Sequence, residues 1–358
     1  MRKSITFFMT AVLLVGMAAC EGPEGPAGPA GPAGAAGPAG PAGPAGPAGQ
    51  DANATCTDCH VADATMFSKQ QQLINAAHGP GMYVRDSGEC AVCHTHQGFI
   101  ERLSTGEWGY SAGSVDDVVP MNCRTCHTIH STYTAADYAL TSEGVPFANR
   151  LAETTGFGAL SVDFGNAANL CASCHQSRIR DGQMPIIDGD DVTPTSSHWG
   201  PHYGTQGNMY AGGGFYDFEG GNGGPHSAHG ATDNGCATCH MAEGSQTYGG
   251  HTFEMGSNYG VCQDCHSSAT DFDVFGNQTA IQALITELEG LLEAHHIIHF
   301  DPDDGRYHIV NNATYPANLT AAAWNYFGVT LDGSLGVHNP PYIRAILEGS
   351  IAAVNALP

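Results

Sequence analysis

Apolar residues recur at helical spacing mainly toward the C-terminus. Ile281, Leu284, Ile285, Leu288, Leu291 and Leu292 fall on one stripe. This predicts an amphipathic helix with Asn277 as its N-cap, and His295 and His299 continue the stripe. A second helix is predicted from Leu319 to Phe327, stopping at Gly328 in the left-handed conformation that ends many helices. Asn339 as cap and Pro340 in the first turn announce a third, with Ile343, Ile346, Leu347 and Ile351 on its buried face. Residues 279–358 thus read as a helical region that packs on a core, or on a neighbouring subunit, rather than carrying chemistry. In residues 52–278, segments such as Tyr210-Ala-Gly-Gly-Gly-Phe215 and Glu219-Gly-Gly-Asn-Gly-Gly-Pro225 read as loops able to wrap closely around a flat ligand. The expected class is mainly α with extensive loops and little β-sheet.

The N-terminus has a different pattern. Arg2 and Lys3 precede an apolar run, Ile5 to Gly16, that is too short to span a bilayer, and Met17-Ala18-Ala19-Cys20 places small residues before a cysteine. Residues 1–19 therefore read as a signal peptide and Cys20 as a lipidation site; the segment resembles a bacterial lipobox with Met where Leu is more usual. An ordinary secretory signal is the alternative, and either one implies export. Residues 20–51 follow as a stalk in which glycine recurs every third residue for ten triplets, mostly Gly-Pro-Ala. Only glycine fits the axis where three polyproline strands meet, so the tract predicts a collagen-like homotrimer. As a single chain it would be a stiff spacer reaching on the order of 90 Å.

Charge narrows the partners. The chain of 358 residues has only 11 Lys and Arg against 35 Asp and Glu, a formal net charge of −24. Nucleic acid is excluded as a partner by that sign, whereas cationic partners such as ferric ions or a basic patch on another protein suit it.

Six times the chain spells Cys-x-x-Cys-His: Cys56/Cys59/His60, Cys90/Cys93/His94, Cys123/Cys126/His127, Cys171/Cys174/His175, Cys236/Cys239/His240 and Cys262/Cys265/His266. Two thiols three residues apart can add to the two vinyl groups of one haem, and the next residue's imidazole can ligate the iron. Zinc knuckles need no histidine directly after the second cysteine, yet here it follows every pair. Disulfides fit no better, because the motifs use twelve of the thirteen cysteines and Cys20 is the thirteenth. The cofactors expected are six covalent haem c groups, with the six motif histidines as proximal iron ligands. Porphyrins would then supply much of the apolar core of residues 52–278. The motifs follow no fixed period, so the domain is no solenoid of equal repeats.

Nineteen histidines exceed what six proximal positions require. The stretch from His127 through Leu140, His202-Tyr-Gly-x-Gln, Ser227-Ala-His229, Gly249-Gly-His251-Thr-Phe and Asp332-Gly-Ser-x-Gly-Val-His338-Asn-Pro-Pro-Tyr resemble segments of multihaem cytochromes related to the ammonia-forming cytochrome c nitrite reductase and its octahaem relatives. The resemblance implies distal iron ligands at His130, His202, His229, His251 and His338. His78, alone between the first two motifs, completes six. For each, a hydrogen bond to a haem propionate or a backbone carbonyl is the competing role. A short helix after Cys126 would bring His130 near the face of His127; His96 points elsewhere, and His295, His296, His299, His198, His226 and His308 are reserves.

Iron held on both faces passes electrons but has no free position for substrate. The expected function is electron transfer by a lipid-anchored, exported cytochrome at the outer membrane, cell surface or periplasmic face, in anaerobic or extracellular respiration, and no residue is assigned a catalytic role. Two alternatives stay open. One is a reductase of nitrite, hydroxylamine or tetrathionate with one open iron, although the resemblance calls for a catalytic motif ending in lysine and all six here end in histidine. The other is a subunit of a surface trimer or filament.

Overall fold

The computed structural model describes residues 64–144, 163–177, 189–220, 222–224, 228–242 and 247–358. The signal segment, Cys20, the glycine-triplet tract, the first motif (Cys56, Cys59, His60) and His226 lie outside the described residues. The chain divides into two units, 1–49 and 50–358, and every described residue belongs to the second.

Before the C-terminal helices, regular structure comes in short pieces: α1 (Ala64–Asn75), α2 (Gly88–His94), α3 (His96–Thr105), α4 (Cys123–Cys126), α5 (Ala168–Ala172), α6 (Gln206–Ala211) and α7 (Cys236–His240), joined by loops and single 3-10 turns. Local signals end them quickly. Thr95 both terminates α2 and caps α3, its hydroxyl accepting from the Gly98 N–H at 2.9 Å. Gly106 and Gly212, at φ 75 and 71, close α3 and α6 in the left-handed conformation. The glycine-rich stretch expected to be a loop from Tyr210 is one only in part, since Tyr210 and Ala211 form the buried last turn of α6.

The C-terminal region has its own core. It consists of α8 (Asn277–Ala294), a hairpin of antiparallel strands β1 (Ile298–Asp301) and β2 (Arg306–Ile309), α9 (Ala317–Asp332) and α10 (Pro340–Asn355). The α8 stripe of Ile281, Ile285, Leu288 and Leu292 packs with Leu319, Trp324 and Val329 of α9 and Ile343, Ile346, Leu347 and Val354 of α10. Met209, Phe215 and Tyr216 from the preceding region join the same cluster. Burying each such Leu or Ile contributes roughly 1.5–3 kcal/mol, so this core holds its helices to each other and to the 209–216 segment.

Three local expectations are corrected. Asn277 is the first residue of α8 rather than its cap; Asp273 supplies the acceptors, its carboxylate receiving the Thr279 N–H at 3.2 Å and hydroxyl at 2.5 Å. His295 and His299 do not continue the stripe, because α8 ends at Ala294 and His299 stands on β1 opposite His308. The second helix does not stop at Gly328. It runs to Asp332 and ends at Gly333, φ 71, while Gly328 is an interior residue whose missing side chain makes room for Phe215: a Cβ there would lie 1.9 Å from the Phe215 ring. Asn325, one turn away, receives the Tyr216 N–H and donates to the Tyr216 carbonyl, both at 2.8 Å, so α9 is tied to that segment along its length.

Candidate functional site

Each described Cys-x-x-Cys-His forms about one helical turn. The N–H of His127, His175 and His266 bonds the carbonyl of its first cysteine at 2.9, 2.9 and 2.7 Å, while the second and fifth motifs lie within α2 and α7. Residues i, i+3 and i+4 of a helical turn share a face. Both thiols and the imidazole of each motif are thereby presented together. Every described cysteine is free of disulfide.

Four of the five described motif imidazoles are fixed through Nδ1. That atom lies 3.0 Å from the Tyr83 carbonyl in His94, 2.7 Å from the Tyr138 carbonyl in His127, 3.0 Å from Gln206 Oε1 in His175 and 2.9 Å from the Phe253 carbonyl in His240. A carbonyl oxygen only accepts, so Nδ1 carries the proton and Nε2 keeps its lone pair for a metal. Gln206 is held over the fourth motif by a close approach of chains: the Gly207 N–H donates to the His175 carbonyl at 2.9 Å, and a Cβ on Gly207 would meet that oxygen at 2.5 Å.

Five motif imidazoles each stand near one other imidazole. Ring centroids are 6.3 Å apart for His94 and His202, 6.2 Å for His127 and His251, 5.8 Å for His175 and His78, 6.3 Å for His240 and His338, and 6.2 Å for His266 and His229. A metal bonded to one imidazole nitrogen on each side at about 2.0 Å separates the rings by about 6 Å. The spacing, with the proton held on Nδ1 in His94, His127, His175 and His240, fits an iron between each pair. His299 and His308 are also 6.1 Å apart, but strand register places them opposite each other and His308 Nε2 is bonded to Asp304 at 2.8 Å. His96 is bonded to Thr125 Oγ1 at 3.0 Å.

Unusual backbone brings the distant histidines into place. His130 and His202 have φ of 66 and 67, a conformation that non-glycine residues adopt at a cost and that clusters at functional sites. The expected helix after Cys126 is absent: α4 ends there, and the Ser131 N–H closes a turn on the Thr128 carbonyl before Asp137 gathers the Thr132 and Tyr133 N–H groups. His130 instead stacks on Tyr133, ring centroids 5.5 Å apart. His251 rides on a 3-10 turn pinned to α1, its N–H donating to Gln72 Oε1 at 3.0 Å. After α9, positive φ at Gly333, Leu335 and Gly336 folds the chain back to deliver His338 just ahead of α10.

His338 has a partner of another kind. Its Nδ1 is 2.6 Å from Asp332 Oδ1, and the other carboxylate oxygen receives the Ser334 hydroxyl and, at 3.3 Å, its N–H. Burial alone would lower this imidazole's pKa; the Asp332 charge and hydrogen bond outweigh it and hold the value above the usual range. His78 and His251 go the other way, each down to about 4, chiefly through burial, with His175 beside the first and Lys69 and His127 beside the second. Both are therefore neutral and ready to ligate a cation. His229 Nδ1 lies 2.7 Å from the Val337 carbonyl, the residue before His338. Neither Asp332 nor Gln206 was singled out by sequence; the signal for each was its place inside a segment already tied to a ligand.

The motifs also meet one another. Cys174 lies within electrostatic reach of Cys93, and Cys171 within that of Cys236. Cys126, pushed up to about 12 by burial first, feels Cys171 and Cys123 as well. Cys239 feels Cys262 and Cys265. The fourth motif thus borders the second, third and fifth, and the fifth borders the sixth. Phe253 sits among three of them: its ring is 5.2 Å from His78 and 5.9 Å from His251, and its carbonyl holds His240.

No known protein family matches the sequence, and no curated protein does. Among solved structures, the crystal structure of outer cell wall cytochrome OcwA is similar, with a TM-score of 0.48 and 17% sequence identity over 79% of this chain and 49% of that one. The chain thus spans about half the length of that protein.

Proposed function

We propose that this chain is an exported hexahaem c-type cytochrome that transfers electrons, with each iron held between two histidines. The observation that carries the reading is the set of five imidazole pairs, each joining a Cys-x-x-Cys-His histidine to a histidine distant in sequence at ring separations of 5.8–6.3 Å. Haem c, when bound, accepts and releases single electrons. The cysteine pairs would fix each ring covalently, and the carbonyls of Tyr83, Tyr138 and Phe253, with Gln206 Oε1, hold the Nδ1 protons so that Nε2 serves as ligand. For the first motif we assign His60 and His130 as the pair, the former lying outside the described residues.

The electrostatic proximity of thiols from different motifs supports an arrangement for transfer. The site of Cys171 and Cys174 is the hub, with the second, third and fifth sites around it and the sixth beyond the fifth. The network is branched rather than linear. Two protein ligands on each iron leave no position for nitrite or hydroxylamine, in keeping with motifs that all end in histidine although the distal segments resemble those of nitrite reductase relatives. The acidic balance favours ferric ions or a basic patch on a partner cytochrome as acceptor. We further propose lipid attachment at Cys20 and spacing or trimerisation through the glycine-triplet tract, on the sequence pattern alone.

Rapid mixing of the dithionite-reduced protein tests the function. Ferric citrate should reoxidise all six haems quickly, while nitrite and hydroxylamine should not be turned over. Steady nitrite or hydroxylamine reduction at roughly 1 per second or faster would replace this reading with a reductase.

A further inference from the structure

Arg102 is a fully buried cation, 0% exposed, on α3 just beyond the second motif. Its Nη1 donates to the Ser173 carbonyl at 2.6 Å, inside the fourth motif, and stands 3.7 Å from Cys93 Sγ in the second. The guanidinium lies over the Trp108 ring, 4.2 Å from its centroid. Arg102 also interacts electrostatically with Cys174, so thiols of both motifs lie beside it. One guanidinium therefore touches the attachment points of two neighbouring sites, at the edge of the hub.

Burying an arginine is costly unless its surroundings compensate it, and the Ser173 carbonyl and the Trp108 face do part of that here. Arginine stays protonated in proteins. Once the cysteines are thioethers they are neutral, so the guanidinium presents its full charge to both adjacent haems, in a buried place where water and salt screen little. Reducing a ferric iron adds one electron, and a fixed positive charge nearby favours the state that holds it.

We propose that Arg102 sets the reduction potentials at this junction, making the haems of the second and fourth motifs the first two of the six to accept electrons. This rests on the haem assignment above. Electrons entering from any branch would then collect at the hub before leaving.

The test is a spectroscopic redox titration with dithionite as reductant, on holoprotein whose haem content is counted first. Arg102→Met should lower two of the six midpoint potentials and leave the other four, while Arg102→Lys, which keeps the charge, should restore both. The wild-type protein gives a second readout that needs no variant. With arginine labelled by nitrogen-15, the paramagnetic shift of the Arg102 side chain should change within the first two of six electrons added. Unchanged potentials in Arg102→Met, or an Arg102 signal that responds only in the last stages, would overturn the proposal. Should Arg102→Met fail to mature, the wild-type signal decides alone. Fewer than six haems in the wild type would instead remove the assignment on which the inference stands.

Discussion

The imidazoles of His240 and His338 lie 6.3 Å apart, centroid to centroid, although one closes a helical turn and the other sits just ahead of α10. The α8–α9–α10 core, assembled by ordinary helix packing, carries His338 to the fifth motif, and the tight turn after α9 fixes its approach.

Replacing His338 by alanine should therefore open one haem and only one. About one sixth of the haem should become high-spin and bind carbon monoxide, seen in the reduced-minus-reduced-plus-CO spectrum, with haem content unchanged. An unaltered spectrum would mean that His338 is not a ligand.

Asp332 should tune that same haem without ligating it. Its carboxylate bonds His338 Nδ1 at 2.6 Å and makes the imidazole a stronger donor, which favours ferric iron. Asp332→Asn should raise one midpoint potential, keep all haems low-spin and leave the other five potentials in place. A redox titration separates this from loss of the ligand.

Gly328→Ala tests the coupling between the helical core and the 209–216 segment. The new Cβ would fall 1.9 Å from the Phe215 ring, so either Phe215 or α9 must shift. Overpacking of this kind costs about 1–3 kcal/mol, or more where the backbone cannot move. A lower thermal midpoint is expected, and because Met209 of that cluster shares α6 with Gln206, which holds His175, the spectrum of the fourth haem should be disturbed before that of the sixth.

Acidic surface charge predicts a salt effect. Electron transfer to a cationic acceptor should slow as ionic strength rises, because the Debye length falls to about 10 Å at 0.1 M; transfer to an anionic ferric chelate should not slow. Stopped-flow reoxidation with one acceptor of each sign measures both.

The sequence and the structure agree best where one physical rule acts alone. The apolar stripe of α8 and the Asn339-Pro340 start of α10 were legible because helical period and backbone restriction are local. Gly328 misled because its role is set by Phe215, more than a hundred residues earlier, and no local pattern encodes that approach. The Cys-x-x-Cys-His turns could be read from spacing. Which histidine faces which could not, since the pairings of His78 with His175 and His251 with His127 depend on how separate loops fold over one another. Arg102 was hidden for the same reason, since its partners belong to two separate motifs; Asp332 is only six residues from His338, and its role depends on how the turn between them folds back.

Electron paramagnetic resonance of the fully oxidised holoprotein, with haem counted by denaturing mass spectrometry, tests the central claim most directly. Six covalent haems, all low-spin, with no carbon monoxide binding on reduction, is the result predicted for six irons each held between two histidines. A high-spin signal amounting to one haem per chain, or a count below six, would contradict it.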